Sequence, residues 1–184
     1  MKRPNSLSAF LVFHLLIIFL FHSSVANADA LQEACKSAAS SGTEVTYEFC
    51  LQFLGENPQG QSASLENLFT FSLDQLASNA TNIVNSVIPK LLSNETLRSA
   101  QKCLETTCSD VFKGVPSDLA GARRYFKEKD YRNAIPYVSA ITTDSDTCED
   151  CFRDDLKRES PLAREDDIFH KMASISLATV TSLL

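Results

Sequence analysis

The sequence predicts an all-α fold: an antiparallel four-helix up-and-down bundle, stapled by disulfides and preceded by an α-helical hairpin. Three observations predict it. Apolar residues recur in steps of three and four through most of the chain, which is the pattern of helical stripes facing a core. Six cysteines, Cys35, Cys50, Cys103, Cys108, Cys148 and Cys151, follow a segment patterned like a secretory signal. An even cysteine count in an exported chain points to a disulfide framework rather than a metal site. The four long helical segments are joined by two short connections and one longer one, which favours antiparallel neighbours.

Lys2 and Arg3 precede an apolar run from Ala9 to Phe21, and Ala26-Asn27-Ala28 fits a small-x-small cleavage site. The run is short for a bilayer span, so a cleaved signal over 1–28 is expected rather than an anchor. The mature chain then begins at Asp29 or Leu31. It forms one domain over 29–184, with the hairpin at 29–56 and the bundle at 62–184. No membrane association is expected after cleavage.

Leu31 to Ala39 reads as a short helix, broken at Ser40-Ser41-Gly42-Thr43, and Tyr47 to Leu54 as a second. Gly55 to Ser64, with Pro58 and Gly60, is a polar linker. Leu65, Phe69, Leu73, Leu76, Ala80, Ile83 and Val87 form the first long stripe, which Pro89 and Ser93-Asn94 end or bend. Asn94 suits the N-cap of the next helix. That helix carries Leu97, Ala100, Leu104, Thr107, Val111, Val115, Leu119, Ala122 and Phe126. Its phase holds across Gly114 and Pro116, so a kink is expected there rather than a stop. Asp130 opens the third segment, whose stripe is Ala134, Val138, Ile141, Ser145, Cys148 and Phe152, with an early Pro136 placed to delay its regular start. Ser160-Pro161 suits a helix start, with serine as cap and proline as first helical residue. Ile168, Met172, Ile175, Thr179 and Ser182 follow at helical spacing.

Charge excludes some functions. Loss of 1–28 removes Lys2 and Arg3, so Lys+Arg falls from 17 to 15 against 23 Asp+Glu, and net charge goes from −6 to −8. An acidic chain of about 156 residues is a poor nucleic-acid binder, because phosphate contacts need clustered cations. It suits capture by a basic protein partner. Asn79-Ala80-Thr81 and Asn94-Glu95-Thr96 are glycosylation sequons.

The cysteine spacing restricts the pairing. Cys35 and Cys50 flank the first turn, and a bridge there would pin a hairpin too small to bury its own core. The other four lie on two antiparallel helices. Pairing Cys103 with Cys148 and Cys108 with Cys151 leaves the two bridges roughly 12 Å out of axial register at the α-helical rise. The crossed set, Cys103 with Cys151 and Cys108 with Cys148, is out by about 3 Å. Geometry therefore prefers the crossed set, or one bridge plus two free thiols.

Several segments together resemble the plant invertase and pectin methylesterase inhibitors. They are Ala34-Cys35, Phe49-Cys50-Leu51, Cys103-Leu104-Glu105, Tyr131 with Ala134, Ser139-Ala140, Thr147-Cys148-Glu149-Asp150 with Phe152, and Ser160-Pro161-Leu162. The Cys35–Cys50 spacing and the C-terminal segment are similar to the pollen-allergen-like branch of that family. The resemblance implies a helical hairpin packed beside, or projecting from, a four-helix bundle. It implies bridges Cys35–Cys50 and Cys103–Cys148. Cys108 and Cys151 are then surplus: free, bonded between molecules, or part of a rearranged pairing. Invertase inhibitors carry a Pro-Lys-Phe motif near the loop between the second and third bundle helices, and it enters the invertase active site. The aligned Tyr131-Arg132-Asn133 keeps only the central basic residue.

No catalytic constellation assembles from the sequence. Only His170 remains after signal loss, and no nucleophile-elbow glycines accompany any serine. The acidic clusters at 144–155 and 165–167 lack calcium-loop spacing and read as solvated faces or favourable charge at a helix start. Arg123, Arg124, Lys127, Lys129 and Arg132 gather near a helix end, where they complement its dipole or form a docking edge with Tyr131. No cofactor and no metal are expected. The resemblance implies a non-enzymatic inhibitor, secreted to the cell wall or held in the vacuole. Its expected partner is pectin methylesterase, favoured here, or invertase. The alternative of another class is a non-inhibitory helical protein carrying an apolar ligand between its helices.

Overall fold

Helix α1 (30–40) and helix α2 (Tyr47–Gly55) form the hairpin in the computed structural model, which describes residues 30–58 and 63–184. The proposed signal, its cleavage site and the centre of the Gly55–Ser64 linker lie outside the described residues. Gly42, at φ +77°, takes the left-handed conformation that the turn after α1 requires. The Thr46 hydroxyl caps α2 by accepting from the Phe49 N–H at 3.1 Å. The Cys35–Cys50 bridge joins the two helices. Leu31, Ala34, Ala38, Val45, Phe53 and Leu54 are buried in the same core as the bundle. The hairpin therefore lies against the bundle and does not project from it.

Helix α3 (Leu65–Asn82) starts at Ser64, whose hydroxyl accepts from the Asn67 N–H at 3.3 Å. It continues through a π-helical turn, Ile83–Val87, into Ile88–Leu92. Proline in a helix clashes with the carbonyl four residues back. A wide turn, in which the Ile88 N–H reaches the Ile83 carbonyl, immediately precedes Pro89 and is the kind of opening that accommodates the ring. The rod thus runs past Pro89. Asn94 then caps a 3₁₀ segment, Glu95–Ala100.

Helix α4 comprises a π-helical turn, Cys103–Cys108, and Ser109–Lys127, and it is continuous through Gly114 and Pro116. The wide turn takes in an additional residue and advances the core face. Cys108 and Phe112 are buried where the regular stripe expected Thr107 and Val111, which are half-buried. Helix α5 (Tyr131–Asp150) is regular from its first residue despite Pro136, and a third π turn, Cys151–Asp155, prolongs it. Helix α6 spans Ala163–Thr181. Its start falls later than the Ser160-Pro161 signature indicates. Ser160 instead closes a turn ahead of it, accepting the Leu162 N–H on its hydroxyl at 3.0 Å and the Ala163 N–H on its carbonyl at 3.2 Å.

Helices α3, α4, α5 and α6 each pack on the next, and α6 packs back on α3. The result is a closed four-helix bundle, with no strand among the described residues. The hairpin helix α2 covers α3 and α6. Helix α6 is consequently buried on most sides, from Phe169 through Met172–Ser176 to Ala178–Val180. Its buried Ser176 and Thr179 hydroxyls donate to the Met172 and Ile175 carbonyls, so neither is left unpaired. Phe69, Phe112, Phe152 and Phe169 fill the interior, with Phe112 edge-on to Phe169 at 5.1 Å. Each buried phenylalanine is worth roughly 1.5–3 kcal/mol of transfer free energy.

The bridges are Cys35–Cys50, Cys103–Cys151 and Cys108–Cys148, with Cα separations of 5.4, 5.9 and 4.6 Å and no free cysteine. This corrects the pairing that the resemblance implies: Cys148 bonds Cys108 rather than Cys103, and Cys108 and Cys151 are not surplus. The cause lies in helix geometry. Residues five apart on an α-helix point about 140° away from each other. The π turn hydrogen-bonds i to i+5 and so brings Cys103 and Cys108 to one face. Cys148 and Cys151, three apart, already share a face. Two antiparallel pairs then meet in register.

Candidate functional site

The corner between α4 and α5 is built by local chemistry. Helix α4 ends with the Lys129 N–H on the Phe126 carbonyl at 3.0 Å and the Asp130 N–H on the Tyr125 carbonyl at 3.0 Å. This is the Schellman termination, which normally uses glycine at the left-handed position. Lys129 occupies that position at φ +57°. Asp130 also caps α5, its carboxylate accepting from the Asn133 N–H at 3.2 Å and the Asn133 side-chain amide at 2.7 Å. One residue thus ends one helix and starts the next, which fixes the corner.

Tyr131, Arg132 and Asn133 are the first turn of α5. Tyr131 packs on Phe126 at 5.5 Å between ring centroids, and Phe126 on Phe69 at 4.8 Å. Of the five cations gathered here, Arg123 is held by Asp74 of α3 at 2.7 Å, and Arg124 lies over the neighbouring Tyr125 ring at 4.5 Å. Lys127, Lys129 and Arg132 are exposed and make no ion pair among the described residues. The corner presents three unpaired cations and an anchored tyrosine on rigid backbone.

A second cluster lies where the hairpin turn meets α5 and α6, in a pocket of about 460 Å³ whose lining includes Glu44, Asp146, Glu149, Asp166, Asp167 and Lys171. Asp166 is 4% exposed, in a run expected to be a solvated face or favourable charge at a helix start. Burial, with Glu149, Asp146 and Asp167 nearby, pushes its carboxyl up to about 8. Burial likewise raises Glu149, offset in part by the Ser160 hydroxyl. Their juxtaposition was not visible in the sequence, because it depends on the α5/α6 register. That register also brings Ser145 and Asp146 to His170, at 3.0 and 3.3 Å. Both contacts are to Nδ1, and the buried Ser145 hydroxyl donates to the Thr142 carbonyl. A triad needs its serine and its carboxylate on opposite ring nitrogens, so this trio is structural.

The sequons differ in setting. Asn94 is exposed on the connection after Ile88–Leu92, and its side chain accepts from the Thr96 N–H and hydroxyl. Asn79 is half-buried within α3, and its Oδ1 is buried without a partner. Among the described residues, no helix is long and apolar enough to cross a membrane.

The described residues thus form a disulfide-braced helical bundle with a rigid, charged corner between α4 and α5. The family profile of the plant invertase/pectin methylesterase inhibitors matches residues 29–179. A protein of Platanus orientalis named "Putative invertase inhibitor" is 33% identical over 174 residues, 95% of this chain and 98% of that one. One of the same name from Platanus acerifolia is 33% identical over 184 residues, 100% of this chain and 99% of that one. A crystal structure of a mutant pectin methylesterase inhibitor from Arabidopsis superposes with TM-score 0.61, covering 73% of this chain and 88% of that chain. At 19% identity that likeness concerns the fold. The chain belongs to the plant invertase/pectin methylesterase inhibitor family. Members of that family are inhibitor proteins, and this chain is accordingly not an enzyme.

Proposed function

We propose that the chain is secreted after loss of residues 1–28 and inhibits pectin methylesterase in the cell wall by reversible docking through the α4–α5 corner. The observation that carries the target is Tyr131-Arg132-Asn133. It lacks the proline and the terminal phenylalanine of the motif that enters invertase, and its Asn133 side chain is turned back onto Asp130. Arg132 is left as the exposed cation at the centre of the corner. The overall acidic charge would speed encounter with a basic enzyme, so the association rate should fall as salt rises. Secretion is supported by the signal pattern and the three bridges, which persist in an oxidising compartment. Asn94 is the favoured glycan site, since a glycan needs an open surface.

A second reading, inhibition of an acid invertase, is supported by the names of the two Platanus relatives. Titrating the oxidised mature chain against purified enzymes of both classes separates them. Saturable loss of methylesterase activity with invertase untouched supports the first reading, and the reverse pattern supports the second. Failure against every enzyme of both classes removes both.

A further inference from the structure

The pocket between the hairpin turn and the α5–α6 pair holds a buried carboxyl, Asp166, that lacks a partner for one oxygen, with the half-buried Glu149 beside it. Asp166 is 4% exposed, and its Oδ1 meets no hydrogen-bond partner; the Glu149 Oε1 is likewise buried and unpartnered. A buried carboxyl without a partner is kept neutral by its proton unless a metal ion holds its charged form. The ligand atoms of Cys148, Glu149 and Asp166 lie within 4.8 Å of one another. Two oxygens at that spacing can both sit about 2.4 Å from a single ion, which is the calcium–oxygen distance. Cys148 is bonded to Cys108 and offers no thiolate, so the donors are hard oxygens and zinc is disfavoured. Lys171, which also lines the pocket, is already held by Asp167 at 2.7 Å. Asp146 and Glu44 add negative charge at the rim, and the pocket, about 460 Å³, leaves room for the waters that complete a calcium shell.

We propose that Glu149 and Asp166 together bind a divalent cation of the calcium class, bridging α5 and α6 beneath the hairpin turn. The ion supplies the counter-charge that Asp166 does not find in the protein and adds to what the Ser160 hydroxyl and Arg153 give Glu149. It ties together three elements, because the turn at Gly42–Glu44 forms the opposite wall of the pocket. This site is separate from the α4–α5 corner and does not depend on which enzyme the protein inhibits.

The test is calorimetric titration of the oxidised full mature chain with calcium chloride after chelator treatment, alongside thermal unfolding. One saturable site with Kd on the order of 10⁻⁴–10⁻³ M, the range of extracellular calcium modules, and a melting temperature that rises with calcium are expected. Asp166→Asn and, independently, Glu149→Gln should each weaken binding at least about tenfold and lose the thermal response. Glu66→Gln, an exposed acid on α3, should change neither. Absence of saturable calcium binding up to about 10 mM in the parent chain would overturn the proposal. So would binding that is unchanged in both pocket variants.

Discussion

Removing one of the two nested bridges should destabilise the bundle much less than its loop length suggests. Cys103–Cys151 closes 48 residues and Cys108–Cys148 closes 40. Taken alone, either is worth about 4 kcal/mol in the chain-entropy model. The two are nested, however. With one bridge in place, the other closes only the residues by which they differ, about eight. The model then gives about 2.5 kcal/mol for Cys103→Ala/Cys151→Ala and about the same for Cys108→Ala/Cys148→Ala, but about 6.5 kcal/mol when all four cysteines are replaced. At roughly 2–4 °C per kcal/mol for a chain of this size, each paired variant should melt about 5–10 °C lower. Denaturant unfolding reads the free energies, and thiol titration of the unfolded protein reads the pairing. Both paired variants should show no free thiol. Cys103→Ala/Cys148→Ala, which breaks two bridges at once, should show two and lose the full 6.5 kcal/mol or so. The reasoning fails if that third variant is fully oxidised and no less stable than the other two.

Other outcomes follow from single positions. A Cβ at Gly121 would stand 2.4 Å from the Tyr137 ring, so Gly121→Ala should cost about 1–3 kcal/mol in denaturant unfolding. An uncharged result would mean that the α4–α5 contact yields without strain. Lys129→Gly relieves the left-handed lysine and should stabilise by about 1 kcal/mol while weakening target binding through the lost cation. Stabilisation with full affinity would take Lys129 out of the docking edge. With a chelator present, Asp166 makes stability fall as pH rises. Its folded pKa of about 8 lies above the 3.8 of the free group, so across that window the folded state binds the extra proton. Asp166→Asn should flatten that part of the stability–pH curve, and a parent curve without a decline would contradict the burial of the charged form.

Much of the architecture was legible in the sequence because helical periodicity survives local faults. The stripes of α3 and α5 locate their buried faces directly. Where the helical phase or a helix start slipped, a π turn or a turn outside the helix was responsible; Pro136, by contrast, did not delay α5. The wide turn at Cys103–Cys108 moved the core from Val111 to Phe112, and no local composition announces such a turn. The same turn decided the bridges. Straight-helix geometry had favoured the crossed pairing, whereas the family resemblance had pointed to Cys103–Cys148. Ser160-Pro161 carried a helix-start signature, yet it closes a separate turn before α6. The α4–α5 corner was visible as a cation cluster beside Tyr131. The carboxylate pair was not, since Glu149 and Asp166 meet only through the packing of two helices.

Docking of the α4–α5 corner on a target enzyme is the proposed mode of inhibition. Association of the oxidised mature chain with pectin methylesterase, compared between the parent and Arg132→Glu at low and moderate salt, tests it most directly. The account predicts saturable one-to-one binding that abolishes activity, an association rate that falls with salt, and an affinity loss of at least about tenfold in the variant, typical of a central interface charge. Tight inhibition that Arg132→Glu leaves untouched would contradict the corner, and no binding to methylesterase or invertase would contradict the claim itself.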